Sequence, residues 1–152
     1  MASREDVRAG AEIVRGKEAC GRFSEELMKE FGFPSDVFPT GAGELEECGR
    51  VRGTGFVWWK CKAPYEHFNV ATNSKASYAA ETTAYMEKGM MKKITGVKAK
   101  QFILTVSIVE MSIQGNKITF KTAMGVGRSF PLSSFMNEEE KRTYLKQNGT
   151  AK

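Results

Sequence analysis

Beyond residue 33 apolar residues tend to recur at every second position, and in the longest such run, Phe102 to Ile113, the alternation slips by one residue. Phe102, Leu104, Val106 and Ile108 fall on one side of an extended chain, with Ile103, Thr105 and Ser107 opposite. Val109, Met111 and Ile113 then carry the apolar phase onward. Successive side chains of a strand point to opposite faces, so this slip turns the apolar set over unless a bulge or sharp bend absorbs one residue. A strand bent in this way serves two walls of a curled sheet. The pattern therefore predicts a mainly β chain, an antiparallel β-roll or barrel-like domain, rather than a flat sheet.

The flanking segments fit that reading. GELEEC and GFVWWKCK lie either side of a Gly/Arg/Thr turn, ASYAAETTAYMEKG ends in a Lys-Gly turn before MMKKIT, and Gln114-Gly115-Asn116 separates the two strongest strands. KITFKT, a Gly125-Val126-Gly127 break and RSFPLSSF follow, with a short polar helix from about Asn137. There is neither a β-α-β rhythm nor an internal repeat.

Before residue 33 the period is helical. Ser3 and Asp6 resemble an N-cap with an acidic first turn, which predicts a helix running to Gly16 as its left-handed cap. In KEACGRFSEELMKEFG, Cys20, Phe23, Leu27 and Phe31 stack along one stripe of a second helix that Gly32 should end. The proline pairs Phe33-Pro34 and Phe38-Pro39 cannot continue it. The expected organisation is a two-helix N-terminal arm over 1–32, an antiparallel β domain over 33–136, and a short C-terminal helix and tail over 137–152. A chain of 152 residues is long enough for one core without metal or disulfide staples. Cys20, Cys48 and Cys61 match no zinc spacing and read as reduced packing residues.

The net charge of +5 is unevenly spread. Residues 1–50 carry seven basic and eleven acidic side chains, whereas residues 88–128 carry eight basic and one acidic. Such a patch favours acidic partners, although a solvated face of edge and turn lysines has the same composition. The N-terminus lacks a signal-peptide apolar core and no later run approaches a membrane span, so the expected location is cytoplasmic, at most peripheral at membranes.

Three stretches, ELMKEFGFPSDVFP, KKITGVKAKQFILTVSIVEM and KITFKTAMGVGRSFPLSSF, resemble in order and spacing the land-plant family catalogued as domain of unknown function 538. The opening EDVRAGAEIVRGKEAC is similar to the branch of that family without a signal peptide, which includes the trichome-branching regulators named Smaller with Variable Branches. The resemblance spans roughly residues 5–136. It implies a mainly β antiparallel roll preceded by helix, a role in trichome development or stress response, and proposals of lipid binding and of ester hydrolysis. It implies no catalytic residue. The chain departs from the family's frequent Gly-Leu-Leu-Pro step, carrying Ser35-Asp36-Val37-Phe38-Pro39 instead, adds Trp58-Trp59, and lacks the branch's charged tail.

Candidate sites follow from the residues. In GFVWWKCK, Val57, Trp59, Cys61 and Ala63 form a clean core face, while Phe56 and Trp58 alternate with Lys60 and Lys62, a mixture suited to a water–lipid interface. Phe56 and Trp58 are equally suited to burial beneath the N-terminal helices. Met86, Met90, Met91, Met111 and Met124 supply flexible thioethers for a pocket or for an irregular core. The leading reading is a non-enzymatic domain binding an anionic lipid, a phosphoinositide or a hydrophobic small molecule. Lys92, Lys93, Lys98, Lys100, Lys121 and Arg128 then meet the anion, beside Trp58, Met90 and Met111. Met124 to Ser129 resembles a weak anion nest but is neither a P-loop nor a dinucleotide fingerprint.

Catalysis must use His67, the only histidine, with Ser74, Ser77, Cys48 or Cys61 as nucleophile and Glu66 or Glu81 as orienter. No nucleophile elbow accompanies it. No metal site and no cofactor are expected. A regulatory module whose N-terminal helices dock a protein partner is the further alternative. Nucleic-acid binding is disfavoured, because the basic residues are not interleaved with an exposed aromatic platform.

Overall fold

The computed structural model describes residues 7–38, 43–101, 103–125 and 127–146. Among these residues nine strands form one sheet with every pairing antiparallel: β1 (Glu12–Arg15), β2 (Leu45–Val51), β3 (Phe56–Cys61), β4 (Tyr65–Asn69), β5 (Ser74–Glu87), β6 (Met90–Gln101), β7 (Leu104–Gln114), β8 (Lys117–Thr122) and β9 (Gly127–Pro131). The spatial order is β1-β2-β3-β5-β6-β7-β8-β9, with β4 also on β5. The long β5 is shared, its first part with β4 and its second with β3. No pairing joins β1 to β9 among the described residues, so the sheet is open rather than a closed barrel.

The expected slip in β7 is present. Its register against β8 shifts between Ile108 and Glu110, after which Met111 returns to the interior. Similar shifts occur in the β5–β6 and β6–β7 pairings. Gly96 lies in one of them at φ +82, where a Cβ would come within 2.6 Å of the Glu81 carbonyl oxygen. Repeated bulges bend the long strands, and the sheet curls into concave and convex faces.

Two N-terminal helices were expected, and among the described residues the last part of the first is a strand. Residues 1–6 lie outside the described residues, but Glu12–Arg15, assigned by sequence to a helix ending at Gly16, form β1 against β2. β-branched Ile13 and Val14 suit a strand, and Gly16 at φ 97 is the turn into α1 (Lys17–Phe31) rather than a helix end. The second predicted helix is α1, closed as expected by Gly32 in the left-handed conformation. The C-terminal helix is α2 (Glu138–Tyr144), whose capping box joins the Asn137 side chain to the Glu140 amide and the Glu140 carboxylate to the Asn137 amide.

α1 covers only part of the concave face. Its buried Cys20, Ser24, Leu27 and Met28 pack over the β1–β2–β3 end of the sheet. Trp59 Nε1 donates to Ser24 Oγ at 3.1 Å and its ring stacks on Phe38 at 4.3 Å, so helix, connecting segment and central strand meet at one indole. Arg50 in β2 reaches α1 through two hydrogen bonds to Glu30, at 2.8 and 2.9 Å, and these hold the Glu30 carboxyl below its usual range.

The convex face is covered at the same end. Phe56, Val57, Trp58 and Trp59 are all buried, so β3 is packed on both sides and has no lipid-facing aromatic row. Trp58 is 1% exposed, donates to Glu47 at 2.9 Å and lies 4.3 Å beneath the Arg8 guanidinium. Space for it depends on its register partner Gly49, where a Cβ would sit 2.5 Å from Trp58 Cη2 and 2.8 Å from the Glu12 carbonyl oxygen. Gly49→Ala is accordingly expected to destabilise the fold by ~1–3 kcal/mol through overpacking, read as a lowered urea midpoint. An unchanged midpoint would show that the Trp58 platform does not bear on stability.

Candidate functional site

Where α1 stops, the concave face stays open. Ser74, Ala76 and Tyr78 from β5, Val97 and Ala99 from β6, Leu104, Val106, Ile108 and Met111 from β7, and Thr122 from β8 form the floor of a cleft of about 530 Å³. That volume suits a small-molecule ligand. The floor is low because several of its residues are small, Ala76 and Ala99 being direct register partners. Asp36 and Val37 from the 3-10 turn Ser35–Val37 form one wall, with His67 and Asn69 from β4 beside them. The opposite wall is aromatic: Phe120, Phe130 and Phe135 lie with ring centres 5.4 to 6.4 Å apart.

Three contacts fix these walls. The Tyr78 hydroxyl donates to the Val37 carbonyl at 3.3 Å, and Asn69 donates through Nδ2 to the Ser134 carbonyl at 3.1 Å. Glu140 accepts from Ser35 Oγ at 2.7 Å, so the carboxylate that caps α2 also latches it to the turn bearing Asp36.

The sequence-derived binding residues divide. Lys98, Arg128 and Met111 border the cleft, whereas Lys92, Lys93, Lys100, Lys121, Met90 and Trp58 do not. Lys92 and Lys93 lie towards the β5–β6 turn, far along β6, where Lys92 pairs with Glu87 at 2.9 Å and Lys93 lies 5.4 Å from the Tyr85 ring centre. The Glu87 hydrogen bond raises the Lys92 pKa. Arg128 lies 5.2 Å from the Phe130 ring centre and has no ion-pair partner among the described residues. Val126, central to the anion-nest reading, is outside the described residues.

Of the catalytic candidates, His67 and Ser74 share the cleft, but the Ser74 hydroxyl bonds Thr72 at 2.6 Å and no serine or cysteine bonds His67 among the described residues. Ser77 donates to Glu66 away from the cleft lining. Cys48 and Cys61 are buried free thiols, and burial pushes both pKa values up, away from thiolate character. Among the described residues no group of three or more His, Cys, Asp or Glu is placed to hold a metal, and no helix is long and apolar enough to cross a membrane.

Sequence reasoning missed the aromatic wall and the Ala76–Ala99 floor. The floor had a visible signal, small residues at inward strand positions, but only the register sets the two alanines opposite each other.

The family described as protein of unknown function, DUF538, matches residues 24–136, well over half of the chain. The chain belongs to the DUF538 family. The match takes in the second half of α1, all strands from β2 to β9 and every residue lining the cleft, so the cleft lies wholly within the DUF538 match. An uncharacterised Arabidopsis thaliana protein, At5g01610, is 27% identical over 105 residues, which are 68% of this chain and 58% of the Arabidopsis protein. The chain thus spans less than two thirds of that relative's length. No solved structure matches this DUF538 chain.

Asp36 offers a probe of the cleft wall. Partial burial raises its pKa above the ordinary 3.8, with His67 pulling the other way. The folded chain then holds this proton more tightly than the unfolded chain. The site's favourable contribution is present below pH 3.8 and lost as pH rises through the raised folded value. Relative to wild type, Asp36→Asn should therefore gain stability progressively as pH rises through that window and stay ahead above it, measured as urea midpoints across pH. A difference independent of pH would remove the burial of this carboxylate as its cause.

Proposed function

We propose that this DUF538 protein is a non-enzymatic binding domain for an amphipathic, lipid-like ligand, a phosphoinositide being one such molecule. The apolar part lies along the Ala76–Ala99 floor against the phenylalanine wall, and the anionic end meets Arg128, with Lys98 nearby. The observation that carries this reading is a cleft of about 530 Å³, lined mainly by apolar side chains and bordered by a guanidinium with no carboxylate partner among the described residues. The similarity of the opening segment to the trichome-branching branch supports a setting in plant development or stress response.

A second reading, ester hydrolysis dependent on His67, is favoured by one observation: His67, Asp36 and Ser74 all line the same cleft. Equal turnover of an ester substrate by wild type and His67→Ala would dismiss it.

The binding reading is tested with fluorescent fatty-acid probes. Wild type should bind the probe, and Ala99→Phe, which fills the floor, should weaken binding at least about tenfold, the equivalent of ~1.4 kcal/mol. Arg128→Gln should weaken an anionic probe more than its uncharged ester. Equal binding by wild type and Ala99→Phe would place the ligand elsewhere.

A further inference from the structure

Three hairpin turns end on the same side of the sheet. The pairs Asn69–Ser74, Lys75–Lys100 and Gln101–Leu104 set the β4–β5 and β6–β7 turns side by side, and Ile108–Thr122 with Lys121–Gly127 brings the β8–β9 turn to the same end. Each turn carries or adjoins a large apolar side chain left in solvent: Val70 is 83% exposed, Ile103 97%, Leu104 63% and Met124 76%. Single exposed apolar residues are ordinary on protein surfaces, but four of the seven large ones among the described residues gather here.

Cations stand directly behind these tips. Strand alternation puts Lys75 and Lys100 on the face opposite Ala76 and Ala99, where the two lysines are register partners, and Lys98 borders the cleft. Like charges directly opposite each other weaken a sheet. Glu66 offsets one of them, 3.3 Å from Lys75, whereas Lys98, Lys100 and Lys121 have no ion-pair partner among the described residues.

Apolar side chains raised on separate turns do not make one continuous face for a protein groove. They suit a surface that yields around each of them, with cations at the depth of anionic headgroups. We infer that this end of the molecule docks on an anionic lipid bilayer. Val70, Ile103 and Met124 enter the boundary between headgroups and acyl chains, and Lys98, Lys100 and Lys121 meet the headgroups. The inference stands on the tips and their cations, not on occupancy of the cleft. Because Ile103, Leu104 and Met124 also border the cleft, docking turns its mouth towards the membrane.

The test is co-sedimentation of the full chain with vesicles of phosphatidylcholine, with and without phosphatidylserine. Wild type should pellet with the phosphatidylserine vesicles and be released by salt. The double variant Val70→Ser/Lys100→Gln, at positions outside the cleft lining, should partition at least about tenfold less. Tryptophan placed at the exposed tip by Ile103→Trp should shift its emission to the blue when those vesicles are added. Ala99→Phe should pellet like wild type, which separates this inference from the cleft reading. Wild type remaining in the supernatant at low salt, the double variant pelleting equally, an unshifted emission, or loss of pelleting by Ala99→Phe would each overturn it.

Discussion

Trp59 is where three parts of the chain become one structure. Its indole nitrogen donates to Ser24 on α1, its ring stacks on Phe38 of the connecting segment, and its backbone lies between Cys48 of β2 and Thr82 of β5 in the sheet. A buried indole needs a partner for its single donor, and Ser24, itself buried, supplies it. This contact holds α1 at one end of the concave face. Everything beyond the helix follows from where it stops: the Phe38 segment closes the core, Tyr78 hydrogen-bonds to the Val37 carbonyl, and no α-helix among the described residues lines the floor past Tyr78.

The cleft is thus the uncovered remainder of a curled sheet. A flat sheet with the same residues would expose them, whereas the bulges in β5, β6 and β7 fold the strands around the space. Small residues at the floor keep it empty, and the phenylalanine cluster keeps its far wall standing. The C-terminal helix contributes through the Glu140 carboxylate, which caps α2 and grips Ser35 at the other wall. A helix beyond the DUF538 match and a turn within it thereby help shape one opening.

Much of the fold was readable in the residues because it depends on local rules. The period-two strands, the β7 phase slip, Gly32 as a helix end and Asn137 as a helix start rest on alternation, glycine conformation and side-chain capping. The expected helix fails over Glu12–Arg15 because its signals, Ser3 with Asp6 and Gly16, are local, whereas pairing with Gly49 and Cys48 makes Ile13 and Val14 a strand. The cationic group was only half legible. Lys92 and Lys100 sit eight positions apart on one strand, about 26 Å at ~3.3 Å per residue, so a single basic segment is distributed to opposite ends of the sheet.

The chain's own order of residues determined that this protein would be an antiparallel, bulged β structure with an amphipathic helix ending at Gly32, since backbone preferences and apolar periodicity act over a few neighbouring positions. Tertiary structure alone decided that Trp58 is buried beneath Arg8, that Ala76 faces Ala99, and that Arg128 and His67 border one cleft. Those relations join residues dozens of positions apart through strand register and helix placement, and a one-residue change in either reassigns every side chain to another face.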